Sequence, residues 1–506
     1  MPYKLNIIRK FSKISNQNKW KSVVGLEVHA QINSKTKLFS GSGTKFSSPV
    51  NTNVSLFDCS TPGTLPVLNK KCVEAGVLTA LALNCHLNPV SFFDRKHYFY
   101  ADLPTGYQIT QQRAPLAIDG QMSFQVFTPG IHKTPYVASV KIKQLQLEQD
   151  SGKSLHDIDR SLVDLNRAGI PLMELVFDPD LKDGEEAAAL VKELVLILQR
   201  IETCSCKMEE GALRVDANVS IHRESEPLGV RTEVKNIGSV RGVAGAIDYE
   251  IKRQIKVRES GKPIVNETRS WDPSTKTTVA MRDKEVLQDY RYMPEPNLPP
   301  LHIAMGPIEI GCVNADKLKE TIPELPAETR QKLRNEGGLT MEQSMILVND
   351  DPLLKIFQKI VSSRTVNQKS LANFLINDLN MLLNKMEMDS REVQKSADYI
   401  GEIFDMLDSQ NINRNASKLL LQEILAGNTD KPSQIVRDRD LLQMNDEGEL
   451  EKLCEEIIQE NEKIVGLYKS GKTKVFKALM SNLEKKSGNK ANMAKCAAIL
   501  AKMLKT

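Results

Sequence analysis

A period of two is the feature that most constrains this chain. In residues 23–32, VVGLEVHAQI, the side chains of Val24, Leu26, Val28, Ala30 and Ile32 are apolar, while Glu27, His29 and Gln31 fall between them. Successive side chains of a strand point to opposite faces, so the first set predicts a core face and the second a polar face available for chemistry. Residues 213–221 repeat the pattern, with Leu213, Val215, Ala217, Val219 and Ile221 inward and Arg214, Asp216, Asn218 and Ser220 outward. Residues 230–236 align Arg231, Glu233 and Lys235, and residues 141–150 set Glu148 and Asp150 opposite Leu145 and Leu147. Asp164 and Asn166 share a side within 162–166, and Glu174 interrupts the apolar run 171–177.

The solvent side of an antiparallel sheet is normally polar, so each strand taken singly is compatible with a wetted surface. Their residue mix points further. Carboxylates with His, Asn and Arg replace the usual Thr, Lys and Ser, and that set is suited to holding Mg²⁺ and neutralising a triphosphate. The pattern predicts a metal and phosphate face on an antiparallel sheet.

The 506 residues are enough for about three domains. Up to about Pro300 the chain is rich in Gly, Pro and short alternating runs, whereas beyond Pro326 it becomes long stretches of Leu, Lys, Glu, Gln and Met. A β-rich front is therefore followed by a helical back, with a proline-rich seam between them and a second seam near 428–433. The apolar run 190–198 is broken by Lys192 and Glu193, well short of the roughly 20 residues of a membrane span. Eight cysteines with no CxxC pair and one CxC, Cys204 and Cys206, predict free thiols in a reducing compartment.

The net charge of +4 is unevenly spread. Lys4, Arg9, Lys10, Lys13, Lys19 and Lys21 meet no acid in residues 1–22, so 62 of the 68 basic residues remain against all 64 acids, a net of −2. Ile7, Ile8, Phe11 and Ile14 lie among those cations at helical spacing, so residues 1–21 resemble a mitochondrial presequence; a basic disordered arm is the alternative. Residues 466–506 carry ten lysines against the single Glu484. Such a one-sided element is either a soluble helical surface or a binder of phosphate backbones. Residues 466–473, GLYKSGKT, satisfy the Walker A expression, but the residues before them recur with helical spacing and supply no strand, so a P-loop is not expected.

The stretches GLEVHAQ (25–31), FDRKHYFYADLPTGYQIT (93–110), LEQDSGKS (147–154), LVDLNRAGIPLMELV (162–176), KMEEGALRVDANVSI (207–221), RTEVKNIGS (231–239) and DYRYMPEPNLPPL (289–301) resemble, in order, the B subunits of glutamyl-tRNA(Gln) amidotransferases, in their mitochondrial form. This GatB-family resemblance implies an α+β fold: an antiparallel-sheet catalytic cradle similar to glutamine synthetase and guanidino kinases, an all-α helical domain, and a small helical YqeY-like tail. The expected segments are 1–21 (presequence), 22–315 (cradle), 316–430 (helical domain) and 431–506 (basic tail). The implied activity is ATP-dependent phosphorylation of the γ-carboxyl of Glu-tRNA(Gln), followed by amidation with ammonia from glutamine. The implied partners are an amidase (A) subunit, a small C subunit and Glu-tRNA(Gln), in the mitochondrial matrix, with ATP and Mg²⁺ as cofactors.

Matched by motif, Glu27, His29, Glu148 and Glu174 correspond to the family's metal-binding positions, and Lys96 to a lysine beside the ammonia route. Asp216, Glu233 and Lys235 are expected nucleotide or metal contacts. Two departures stand out: Gln149 where many bacterial members carry Glu, and Thr105 where they carry Lys. The amide oxygen of Gln149 is an expected weaker ligand. Two rival readings keep the same sheet but differ in partner: a glutamine synthetase-like small-molecule ligase, which needs no tRNA, and a non-catalytic tRNA-binding assembly subunit.

Overall fold

The computed structural model describes residues 20–224, 226–281, 290–306 and 311–504. The leader expectation for residues 1–19 lies outside these. Trp20 and Lys21, assigned to the leader on charge, are instead the first residues of a strand, with Arg223 stacked 4.8 Å over the Trp20 ring and Lys21 paired to Glu224 at 2.6 Å. The chain divides into two compact units, Met1–Glu328 and Thr329–Thr506.

In the first unit the strands and helices run in the order β1 (Trp20–Gln31), α1 (Lys70–Ala82), β2 (His86–Leu87), β3 (Val90–Ser91), β4 (Asp94–His97), β5 (Tyr107–Thr110), β6 (Ala117–Val126) and β7 (Tyr136–Gln149). A small hairpin, β8 (Lys153–His156) and β9 (Ser161–Asp164), precedes β10 (Pro171–Phe177), α2 (Gly184–Arg200), β11 (Leu213–Arg223) and β12 (Thr232–Ile237). Then come α3 (Val240–Glu259), β13 (Thr268–Asp272), β14 (Thr277–Ala280), β15 (Met293–Pro294), β16 (Leu301–Ala304), β17 (Val313–Asn314) and α4 (Ala315–Glu320).

Nine strands form one sheet in the order β14-β13-β12-β11-β1-β10-β7-β6-β2, antiparallel except for the β12–β13 pair. The alternation in β1 places it in the middle: Val24, Leu26, Val28 and Ala30 are buried on the face covered by α1, α2 and α3. Val24, Leu26 and Val28 each contribute roughly 1.5–3 kcal/mol on burial, which fixes the register, since a slip by one residue would turn Glu27 and His29 into the core. Helix starts are sharp: Asn69, Asp183 and Ser239 accept backbone N–H groups as N-caps of α1, α2 and α3. At Gly184 a Cβ would lie 2.3 Å from the Ala244 carbonyl oxygen, so the start of α2 packs on α3 only because this residue has no side chain.

One irregularity matters for the opposite face. The ladder between β10 and β7 shifts at Val176/Phe177, and the inward set of β7 changes from Val140 and Ile142 to Leu145 and Leu147. Gln144, Gln146 and Glu148 are thereby turned to the polar face. The same alternation puts Gln149 with Leu145 and Leu147, on the side away from Glu148, which corrects its expected role as a ligand. Asp164 is likewise not on the main sheet: it closes the β8–β9 hairpin and accepts the N–H groups of Asn51 (3.1 Å) and Asn166 (3.0 Å).

The expected break at 315/316 falls later. Leu318, Ile322 and Leu325 pack on the core of the first unit, so the proline-rich segment up to Glu328 belongs to it. The second unit is helical, with two hydrophobic clusters. One runs from Leu333 to Val436, past the expected seam at 430, and the other from Leu450 to Leu504. The Walker-like stretch spans the end of helix Glu462–Lys469, a turn at Gly471 with φ of 99°, and a 3₁₀ turn, with no strand before it, as expected. None of the eight cysteines is in a disulfide, and no described helix is long and apolar enough to cross a membrane.

Candidate active site

The polar face is assembled by register. His29 on β1 lies opposite Glu174 on β10 and Arg214 on β11, and Glu174 lies opposite Gln146 on β7, so four strands contribute to one row. Glu148 stands two residues further along β7, the next position on the same face. The His29 Nε2 atom is 3.7 Å from Glu148 Oε1 and 3.8 Å from Glu174 Oε2. One ligand atom from each of these three residues can be chosen with all separations within 4.8 Å, the spacing of donors around one cation.

Their electrostatics fit that role. Burial, then the charge of Glu174, pushes the Glu148 carboxyl up to about 7, and Lys96 and His29 only partly oppose this. Burial raises Glu174 also, and it lowers His29, favouring the neutral imidazole that a metal requires. Glu148 Oε2 is buried and has no hydrogen-bond partner. An orphaned carboxylate oxygen beside a second carboxylate and an imidazole is costly unless a cation meets it, and this donor set suits Mg²⁺ or Mn²⁺. Gln146 supports the cluster by donating to Glu174 Oε2 (2.7 Å) and Thr110 Oγ1 (3.1 Å).

Glu27 is drawn to a second group. Its Oε1 accepts a hydrogen bond from Asn218 Nδ2 at 3.0 Å, and burial followed by the charges of Glu233 and Asp216 raises its pKa. Lys235 Nζ stands 3.2 Å from Glu233 and 3.3 Å from Asp216. Burial alone would lower Lys235, but those two carboxylates outweigh it and keep the ammonium charged. The eight expected site residues apart from Gln149 thus fall into a triad of His29, Glu148 and Glu174, an acidic cluster of Glu27, Asp216 and Glu233 around Lys235, and Lys96.

Lys96 comes from a separate three-stranded sheet, β15-β4-β5. Burial pulls its pKa down, but Glu148, Glu174 and the tyrosines Tyr290 and Tyr292 outweigh it, so the ammonium stays charged. Thr105, the position lacking a lysine, uses its hydroxyl on the Tyr107 carbonyl at 2.6 Å. Two further contributors were not among the expected site residues, although the alternation already turns the first of them to the polar face. Arg214 holds Asp150 at 3.0 Å while its Nε is buried without an acceptor, and Tyr290 presents its ring to Lys96. The aromatic density of residues 97–107 and 290–292 was the available signal for the second. A cleft of about 590 Å³, lined by Asn33, Lys71, Thr203 and Cys204 among others, shares none of these residues.

Residues 22–309 match the GatB/GatE catalytic domain, and residues 355–504 match the GatB domain. The chain belongs to the GatB family. It is 56 % identical over 495 residues to a protein of Aedes aegypti named as the mitochondrial B subunit of glutamyl-tRNA(Gln) amidotransferase, covering 96 % of this chain and 94 % of the relative. A Homo sapiens protein of the same name is 47 % identical, with 96 % and 89 % covered. A Rickettsia typhi protein, named as the B subunit of aspartyl/glutamyl-tRNA(Asn/Gln) amidotransferase, is 42 % identical, with 94 % and 96 % covered. The α+β architecture is that of the GatB domains, and every residue of the triad and the acidic cluster lies inside the catalytic-domain match.

Proposed function

We propose that this GatB-family chain is the tRNA-dependent kinase and amide-forming subunit of a mitochondrial glutamyl-tRNA(Gln) amidotransferase. The observation that carries the reading is the His29–Glu148–Glu174 cluster, with its orphaned Glu148 oxygen, beside the Lys96 ammonium.

The chemistry follows from the weakness of a carboxylate as an acyl donor. An oxygen of the glutamyl γ-carboxylate attacks the γ-phosphorus of ATP, the bond to the β,γ-bridging oxygen breaks, and ADP leaves. Ammonia then adds to the carbonyl carbon of the acyl phosphate, inorganic phosphate departs, and the nitrogen loses a proton to give the amide. Phosphoryl transfer depends on in-line positioning and charge neutralisation more than on a covalent nucleophile. His29, Glu148 and Glu174 would hold a divalent cation, which would supply part of that neutralisation. Lys96 and Arg214, with its free Nε, supply donors for phosphoryl or carbonyl oxygens developing negative charge. Lys235, with Glu27, Asp216 and Glu233 around it, is suited to the nucleotide phosphates and a further cation.

An amidase (A) subunit and a small C subunit are the partners of this reading, releasing ammonia from glutamine. The basic face of the tail is the proposed contact for tRNA phosphates, and the mitochondrial matrix the proposed compartment. The deciding experiment is ATP hydrolysis by the purified complex with and without Glu-tRNA(Gln). Stimulation by the charged tRNA is expected. Stimulation by free glutamate and ammonia instead would make the chain a small-molecule ligase, and no ATP cleavage at all would leave it an assembly subunit.

A further inference from the structure

Lys96 is a long, flexible cation placed beside two carboxylates, and nothing in its own strand explains why it does not fold onto them. Its cross-strand neighbour on β5 is Gln108, which is occupied on both sides: the amide donates to the Gln149 carbonyl (2.6 Å) and its oxygen accepts from Tyr98 Oη (3.2 Å). Among the described residues Lys96 closes no ion pair with Glu148 or Glu174, although it lies within their electrostatic reach. Its Nζ instead sits 4.7 Å over the ring of Tyr290.

That ring is fixed in its turn. The Tyr290 carbonyl accepts the N–H of His97 (2.9 Å), the residue next to Lys96, and the chain beyond it pairs with β4 through Met293↔Arg95 and Pro294↔Asp94. Arg95 locks the far end with two bonds to Glu295, at 2.6 and 3.1 Å. Tyr98 and Tyr292 buttress Tyr290 edge-on, with centroids 6.3 and 6.1 Å away. A segment nearly two hundred residues distant in sequence thus presents one aromatic face to one ammonium.

The consequence concerns competition. An ammonium closing onto Glu148 or Glu174 would occupy oxygens that a divalent cation needs, and the cation would have to displace it. A cation over an aromatic face is held by the ring's negative potential, most strongly where water is excluded, without occupying any lone pair. We propose that Tyr290 is a positioning residue: its ring holds the Lys96 ammonium off Glu148 and Glu174, leaving their oxygens open to the divalent cation. This deepens the metal-dependent reading above and rests on it. It assigns Tyr290 no contact with substrate.

The test is Mn²⁺ binding to the purified complex without nucleotide or tRNA, followed by electron paramagnetic resonance. Tyr290→Phe keeps the ring and should leave the affinity unchanged. Tyr290→Leu removes the ring and should weaken Mn²⁺ binding by roughly tenfold, the scale of one desolvated cation–π interaction. Adding Lys96→Met to Tyr290→Leu should restore affinity to at least the wild-type value, a rescue that mere structural damage would not show. Equal affinity in wild type and Tyr290→Leu, or a weakened affinity that Lys96→Met fails to rescue, overturns the proposal while leaving the metal site intact. Absence of Mn²⁺ binding in the wild type overturns the metal reading itself, and the proposal with it.

Discussion

Glu174 lies directly across the β1–β10 ladder from His29, its Oε2 3.8 Å from the imidazole Nε2, with Glu148 Oε1, from the next strand β7, at 3.7 Å from the same nitrogen. Exchanging Glu148 or Glu174 for Gln keeps size but removes a negative charge from the cluster. Glu-tRNA-dependent ATP cleavage should fall by roughly 10² or more, on the order of a 3 kcal/mol rise in barrier. Basal glutamine hydrolysis by the assembled complex should survive, because that chemistry belongs to the partner amidase. Glu27→Gln acts on the neighbouring cluster and should impair nucleotide affinity more than Mn²⁺ affinity. Near-normal ATP cleavage in both Glu148→Gln and Glu174→Gln would mean that the phosphorylating site is elsewhere.

The raised Glu148 carboxyl gives a pH dependence with a definite sign. Its folded value of about 7 exceeds the ordinary 4.5, because burial and Glu174 disfavour the charged form. The proton therefore binds the folded state more tightly, and the associated stability, on the order of 3 kcal/mol at most, is full below pH 4.5 and lost as pH rises through 7. In chelator the unfolding temperature should fall across that window, and Glu148→Gln should flatten the decline. A bound cation has to displace that proton, so stabilisation by Mn²⁺ should grow with pH and level off above 7. Calorimetry from pH 5 to 8, with and without Mn²⁺, separates the two curves; a Mn²⁺ effect independent of pH would remove Glu148 from the ligand set.

What could be read from the sequence was whatever depended on period. The inward rows of β1 and β11 and the outward rows holding Glu27, His29, Asp216 and Glu233 follow from alternation alone. Alternation says nothing of strand order, so the split between the His29 triad and the Lys235 cluster needed the register. Gln149 failed for a related reason: motif resemblance placed it beside Glu148 in sequence, and adjacent residues of a strand face opposite ways. For Tyr290 the local pattern offered only a clustering of aromatic residues, since its relation to Lys96 comes through the pairing of β15 with β4.

The buried pair Lys37–Asp58 was equally invisible, lying in a long loop with no periodicity. Lys37 Nζ is 3.1 Å from Asp58 Oδ2, both side chains are almost wholly buried, and Ser40 and the Leu165 carbonyl complete the network. Removing one charge strands the other. Asp58→Ala should therefore destabilise the first unit by about 3–5 kcal/mol, whereas an apolar replacement of both residues should recover much of that. Urea unfolding of the single and double variants decides it, and additive losses would show that the ion pair is not the source.

The tail lysines are best tested by substitution. Leu450, Cys454 and Ile457 share one small core with Leu479, Leu483, Cys496 and Leu500, so a truncation at Lys463 would expose half of it and confuse lost charge with lost fold. Lys486 pairs with Glu456 and Glu460, Lys490 with Asp440, and Lys495 donates to the Asn445 carbonyl, so these three are committed to the protein itself. Lys469, Lys472, Lys474 and Lys477 are exposed around the turn at Gly471 and close no ion pair among the described residues. If they meet tRNA phosphates, removing each lysine–phosphate pairing should reduce the log–log salt slope of binding by about 0.7 to 0.9. Changing all four to Gln should weaken Glu-tRNA(Gln) binding and flatten its salt dependence, while Mn²⁺ affinity and the unfolding temperature stay as in the wild type. Filter binding from about 50 to about 200 mM salt covers the range in which such pairings change affinity most steeply. An unchanged slope in the fourfold variant would make this basic turn a solvated surface and send the search for the tRNA-binding face to another part of the chain.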